Sequence, residues 1–159
     1  MATLYVCENG AYREAHTDDV LGEARRVINR QFRVGAPVLD RRERIHAFLH
    51  LRVAPLEYEV FGLFYLDAHL RLIAVEELFR GSATSATVHA DEVLKSVLRR
   101  NATAVMIYHN HPSGDPAPSP ADELLTRRLQ QLLELIHVRL VDHLVIGASV
   151  FSFSEAGLL

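Results

Sequence analysis

Residues 102–123 read ATAVMIYHNHPSGDPAPSPADE, and the character of the chain changes abruptly at Tyr108. ATAVMIY is almost continuously apolar, as expected of a central strand covered on both faces. It delivers the chain into a turn-rich loop containing Pro112, Gly114, Pro116 and Pro118. Ser119 then opens a helix, because Ser at the N-cap, Pro120 at the first helical position and Asp122 three residues past the cap are what a helix start requires. Leu124, Leu125, Leu129 and Leu132 carry that helix to about Ile136.

Further elements follow on both sides. His89-Ala-Asp-Glu opens a helix through Arg100, with Val93, Leu94, Val97 and Leu98 apolar and with Asp91 and Glu92 suited to its positive N-terminal end. Before it, YEVFGLFYL from Tyr58, a polar DAHL and then RLIAVEELF form a hairpin, closed by Gly81 and the Ser/Thr-rich residues 82–87. After the Ser119 helix, VRLVDHLVIG and SVFSFS supply two final strands. Upstream, Thr17-Asp-Asp followed by Val20, Leu21, Ala24, Val27 and Ile28 predicts an N-capped helix ending between Phe32 and Gly35. A second helix starts at Asp40, carries Ile45, Phe48 and Leu49 on one side, and is broken by Pro55. These two helices make a helical arm over residues 1–50, ahead of a domain over residues 51–159. Strands and helices alternate but begin with a hairpin, so the fold class is α/β, a mixed β-sheet flanked by helices.

The chain has 159 residues, the length of one domain of about 100 to 200 residues. Forty-nine per cent hydrophobic and 23% charged residues, with eight Gly and six Pro, exclude disordered, collagen-like and low-complexity classes. Cys7 stands alone, which excludes an intramolecular disulfide and a cysteine-rich metal site. The N-terminus has no basic start leading into an apolar run, and no stretch approaches the about 18 apolar residues that span a membrane, so a cytoplasmic location is expected. Seventeen basic residues against twenty acidic ones, a net charge of -3, offer no global attraction for nucleic acid. Nine Arg against six Asp or Glu lie between Arg13 and Arg52, an excess that reads as solvated helix faces. It would favour nucleic acid if Arg25, Arg26, Arg30, Arg33, Arg41, Arg42 and Arg44 formed one exposed face.

Nine histidines raise the question of metal-ligand spacing. His109 and His111 stand two residues apart at the end of the buried strand, so an extended backbone points both imidazoles to one side. Asp122 lies at the first turn of the next helix, and the Pro-rich loop can fold it back beside them. Two neutral imidazoles and one carboxylate leave a fourth tetrahedral position for water, the arrangement of a catalytic zinc site. Other His-x-His chemistries fit worse: the metallo-β-lactamase pattern needs Asp where Ser113 stands, and cupin spacing needs a Glu soon after the second His. Asp142-His143 reads either as a ligand-orienting pair or, by default, as a satisfied histidine beside a carboxylate. His16, His46, His50, His69 and His137 lack spacing that favours a site, and Tyr108 defaults to packing.

His109-x-His111-Pro112 with Ser119 and Asp122 resembles the JAMM motif of JAB/MPN metallohydrolases, and HNHPSGDPAPSPAD is specifically similar to the RadC branch. Glu76-Glu77-Leu-Phe-Arg-Gly-Ser, His89 with the helix after it, Val141-Asp-His-Leu-Val-Ile-Gly and Ser152-Phe-Ser resemble further RadC landmarks, so the likeness covers roughly residues 50–159. It implies a JAB/MPN, cytidine-deaminase-like architecture. It also implies Zn2+ held by His109, His111 and Asp122, a Glu on an early strand as general base, Ser119 as donor to an oxyanion, and amide or isopeptide hydrolysis of a peptide or protein substrate. Longer family members carry an N-terminal helix-hairpin-helix region that suggests DNA contact; residues 1–50 are too short for one, which makes this chain resemble a short form.

The candidates for the base are Glu59, Glu76 and Glu77. Both faces of YEVFGLFYL are apolar, and a carboxylate in such a strand is costly unless a neighbour such as a metal-bound water offsets its burial. Glu59-Val-Phe-Gly-Leu also resembles the Glu-bearing strand of JAMM enzymes, where Gly follows Glu by three residues. Glu76 and Glu77 are adjacent, face opposite ways, and read as one solvated and one paired residue. The base is therefore assigned to Glu59, with Glu76 next. The resulting expectation is a zinc metallohydrolase of JAMM type with peptidase or isopeptidase chemistry; the rival is a non-catalytic or DNA-associated module in DNA repair or recombination.

Overall fold

The apolar run ending at Tyr108 becomes the middle strand of a five-stranded sheet. The computed structural model describes residues 3–30, 32–38, 42–81 and 88–159. Its elements are β1 (Tyr5–Glu8), β2 (Ala11–Glu14), α1 (Thr17–Asn29), α2 (Arg42–Val53), β3 (Val60–Leu66), β4 (Leu72–Arg80), α3 (Ala90–Arg99), β5 (Ala104–Asn110), α4 (Pro120–Leu135), β6 (Arg139–Ile146) and β7 (Val150–Ser152). The sheet order is β4-β3-β5-β6-β7. Only β5 and β6 run parallel, and α4 crosses between them; the other neighbours are antiparallel. This is the mixed α/β sheet expected.

Every residue of β3 and of β5 is buried, which is why their sequences run apolar without alternation. One face packs on α2, where Phe48, Leu49 and Val53 meet Phe64, Leu66, Met106, Tyr108 and Ile146. The other face packs on α3 and α4, where Val93, Val97, Leu129 and Leu133 meet Phe61, Leu63, Tyr65, Val105 and Ile107. Each such side chain contributes about 1.5–3 kcal/mol by leaving water. The second helix of the N-terminal arm is therefore part of the sheet's core.

Residues 1–50 were expected to be helical, yet a hairpin precedes the helices. Tyr5 pairs with Glu14 and Glu8 with Ala11, around Asn9 and Gly10 at φ 51° and 81°. A two-residue Asn-Gly loop suits the turn that needs positive φ at both positions. α1 stops at Asn29, short of the expected Phe32 to Gly35. The expected helix start at Asp40 and the Ser/Thr-rich residues 82–87 lie outside the described residues.

The ladder between β5 and β6 contains one irregularity that matters for the site. Val105 pairs with Leu140 and Met106 with Asp142, so Val141 falls between partners as a β-bulge. The extra residue reverses the alternation, and His143, opposite Ile107, turns to the same face as Leu140.

Gly62 is required by close approach. A Cβ there would lie 2.4 Å from the Tyr108 hydroxyl and ring edge and 2.6 Å from the Glu76 carbonyl oxygen. Gly62→Ala is expected to cost about 1–3 kcal/mol through overpacking. The Tyr108 hydroxyl is buried with no hydrogen-bond partner among the described residues, so Tyr108→Phe is expected to leave stability unchanged or raise it. Thermal melts of both variants check this; a Gly62→Ala protein melting with the parent would show that β3 has room to shift.

Candidate metal centre

His109 is the next-to-last residue of β5, and the chain stays extended beyond it because the His111 N–H donates to the Ile146 carbonyl, 2.8 Å away. Both imidazoles therefore project from one face. The loop after them is pinned to the turn between β6 and β7. The Gly114 N–H donates to the His111 carbonyl at 2.9 Å, and the Ala148 N–H donates to the Gly114 carbonyl at 2.6 Å. Gly114 sits at φ 83°, and a Cβ on Gly147 would lie 2.4 Å from the Gly114 oxygen, so both positions need glycine.

At the start of α4, the Ser119 N–H and hydroxyl both donate to Asp122 Oδ2, at 2.7 and 2.6 Å. The Asp122 N–H donates back to Ser119 Oγ at 3.2 Å, a reciprocal capping box. The expected capping role of Ser119 is thus present, and its hydroxyl also orients the carboxylate.

Three donor groups converge. His109 Nε2 lies 2.9 Å from His111 Nε2 and 3.2 Å from Asp122 Oδ1, and His111 Nε2 lies 3.4 Å from Asp122 Oδ2. A tetrahedral zinc ion with bonds of about 2.0–2.1 Å separates its donors by about 3.3 Å, so the set has the dimensions of such a site. Its chemistry fits as well. The Asp115 carbonyl lies 2.8 Å from His111 Nδ1, and a carbonyl only accepts, so Nδ1 carries the proton and Nε2 turns its lone pair inward. Burial raises the pKa of the Asp122 carboxyl, but in the absence of a metal a hydrogen bond from protonated His109, the field of that imidazolium and the Ser119 hydrogen bonds outweigh it. The group is held well below the usual carboxylate range. Lone pairs crowded this closely repel one another unless a proton or a cation lies between them.

Glu59 immediately precedes β3 and lines a cavity of about 50 Å³ with Phe61, Val88, His109, Asp122 and Leu125. Asn110, fully buried between the two histidines in sequence, clamps the backbone on either side of it. Its Oδ1 accepts from the Val60 N–H at 2.7 Å and its Nδ2 donates to the Tyr58 carbonyl at 3.0 Å. Glu76 and Glu77 lie elsewhere, and the expectation that one is solvated does not hold. Glu76 pairs with Arg100, and Glu77 pairs with Arg52 and Arg80 at 3.0 and 3.1 Å.

The default reading of His143 holds in part: the ring is satisfied, but by His109 and Thr126 rather than by the adjacent carboxylate. The Asp142 carboxylate accepts from the His143 backbone N–H, the Ser154 N–H and the Ser152 hydroxyl, at 2.8, 3.0 and 2.7 Å. The His143 ring points to the opposite face, where its Nε2 lies 2.8 Å from His109 Nδ1 and its Nδ1 lies 2.6 Å from Thr126 Oγ1. It is wholly buried, and burial first, then the neighbouring His109, hold its pKa well below the ordinary histidine value.

Of the arginines whose joint exposure would favour nucleic acid, Arg26 pairs with Glu23 and Arg42 with Glu155. Arg44 is half-buried and Arg41 lies outside the described residues. No helix among the described residues is long and apolar enough to cross a membrane.

A family model described as a RadC-like JAB domain matches residues 39–158. The chain is also similar to a UPF0758 protein of Vibrio cholerae serotype O1, 42% identical over 147 residues, which are 92% of each chain. A UPF0758 protein of Leptothrix cholodnii is 46% identical over 94% of this chain and 68% of its own length. One of Aromatoleum aromaticum is 45% identical over 94% of this chain and 67% of its own.

Proposed function

The chain belongs to the RadC-like JAB domain family, and on that premise we propose that it is a zinc metallohydrolase that cleaves amide or isopeptide bonds in a peptide or protein substrate. The observation that carries the reading is the convergence of His109 Nε2, His111 Nε2 and the Asp122 carboxylate, with Glu59 lining one cavity with His109 and Asp122. His109, His111 and Asp122 would hold the zinc ion, and the chemistry it would supply when bound is a water whose pKa falls to about 7, a nucleophile available at neutral pH. Glu59 would serve as the general base, accepting a proton from the attacking water and handing it to the leaving amine as the C–N bond breaks. Asn110 holds the strand start that carries Glu59, and the loop pinned at Gly114 and Gly147 holds His111.

Ser119 is assigned the stabilisation of the tetrahedral oxyanion, which requires its hydroxyl to turn from Asp122 towards the substrate. One such donor is worth about 10² to 10³ in rate, whereas the cap alone is worth about 1 kcal/mol, or about 2–4 °C in a domain of this size. Ser119→Ala is therefore expected to slow turnover far more than it lowers the melting temperature. A variant that melts early but turns over at the parental rate would leave only the capping role.

Elemental analysis of the purified protein, followed by a peptide-library cleavage screen, tests the proposal. The expected result is about one zinc per chain and cleavage that a chelator abolishes and added zinc restores. Stoichiometric zinc with no cleavage in any library would instead favour a non-catalytic module that keeps the metal as scaffold.

A further inference from the structure

The polar groups behind His109 form a chain whose hydrogen-bond directions are fixed from its far end. Thr126 Oγ1 lies 2.6 Å from the backbone carbonyl of Asp122, one turn earlier in α4. A carbonyl only accepts, so the single hydroxyl proton of Thr126 lies on that bond. The Thr126 oxygen must then accept from His143 Nδ1, 2.6 Å away. Reversing this bond would leave two oxygens facing each other at 2.6 Å without a proton. His143, wholly buried and flanked by Phe153 stacked at 4.7 Å and Phe61 edge-on at 6.3 Å, is neutral. With its Nδ1 protonated, its Nε2 is an acceptor, and the one donor facing it is His109 Nδ1–H at 2.8 Å.

We propose that His143, oriented by Thr126, is a positioning residue that fixes the proton of His109 on Nδ1 and thereby presents the Nε2 lone pair to the metal. The assignment of the metal rests on the reading above; the assignment of the proton does not. A metal-ligating histidine needs its second ring nitrogen held by an outer partner that sets tautomer and orientation. Here the partner is a second imidazole whose own polarity comes from the backbone of the helix carrying Asp122. The same short helical segment thus supplies one ligand by its side chain and, through its carbonyl, sets the protonation of another. The bulge at Val141 is an independent sign of this role. Strict alternation from Leu140 would turn His143 towards α2, and the extra residue brings it to the face of His109 instead.

The first measurement needs no metal. Nitrogen-15 spectra of the histidine rings in the chelator-treated protein, at about pH 8, above the ordinary imidazole pKa, are expected to show His109 Nδ1 protonated. A bare His109 Nδ1 would overturn the proposal. The second measurement is zinc affinity by competition with a chromophoric chelator. His143→Leu, which offers no acceptor, is expected to weaken zinc by about 10- to 100-fold, the usual cost of losing such a partner. His143→Gln, whose side-chain oxygen can accept from His109 Nδ1–H, is expected to recover most of the loss. If His143→Leu does not fold, Thr126→Val takes its place. It removes the hydroxyl with little change of shape, and is expected to give His109 as a mixture of tautomers with weaker zinc binding. Parental affinity in folded His143→Leu or, where that variant does not fold, in Thr126→Val would overturn the proposal. Parental protein that binds no zinc yet shows His109 Nδ1–H would refute the metal centre while supporting the role of His143.

Discussion

Replacing His109 and His111 together by alanine is expected to strip the protein of zinc while leaving it folded. The two imidazoles supply two of three converging donors, and the remaining Asp122 carboxylate already takes two hydrogen bonds from Ser119. Losing an outer partner of a ligand weakens metal binding about 10- to 100-fold, and losing two ligands removes far more than that. The fold survives because neither histidine belongs to the apolar clusters on the two faces of the sheet, which are built from residues such as Phe64, Met106, Ile107 and Leu129. Replacement relieves the crowding of lone pairs at the end of β5 and costs the sheet no backbone bond, but it leaves buried His143 Nε2 without His109 Nδ1–H. The double variant is therefore expected to melt earlier, by the about 1–3 kcal/mol of an unpaired buried group. Elemental analysis beside a circular-dichroism melt separates the two effects. Undiminished zinc in a folded double variant would sink the ligand assignment.

What made this site legible was its compactness in the chain. Strand, histidines, Pro-rich loop, cap and carboxylate follow one another over residues 102–122, and each step obeys a local rule: an apolar run for a doubly covered strand, alternation for two histidines on one face, Ser-Pro-x-Asp for a helix start. The parts that escaped depend on distant partners or on broken alternation. Glu77 is held by Arg80, three residues on, and by Arg52 of α2, and Glu76 by Arg100 after α3; the two partners some 25 residues away are not announced by the neighbourhood of either glutamate. His143 escaped because a bulge at Val141 reverses the face to which alternation assigns it. Asn110 sits between two histidines and reads as their spacer, yet it reaches back 50 residues to Val60. The hairpin at Tyr5–Glu14 is a different case. Asn9-Gly10 is a strong turn signal, but β1 and β2 are mostly exposed, and strands without a buried face leave no clear alternation to read.

Glu59→Gln is expected to keep zinc, fold and melting temperature and to lose hydrolysis by about 10² to 10⁴, the range that a positioned acid–base group contributes. The argument is positional. Residues 59 and 61 share a face by alternation, Phe61 stands opposite His109 in the ladder, and Glu59 lines the same small cavity as His109 and Asp122. Asn110 fixes the backbone immediately before and after it, so the carboxylate is carried on a rigid support in the wall of the cavity, as an acid–base group requires. The glutamine amide keeps the size and most of the hydrogen bonding of the side chain but cannot take up a proton at neutral pH. Glu76 provides the control. It stands opposite Leu63, further along β3, and is held by Arg100 on a partly exposed surface, where a pair contributes about 0–1 kcal/mol. Glu76→Gln is therefore expected to turn over at the parental rate with a slightly lower melting temperature. Turnover and zinc content measured together on both variants decide the matter: a Glu59→Gln protein with parental turnover beside an inactive, zinc-loaded Glu76→Gln protein would move the base to Glu76.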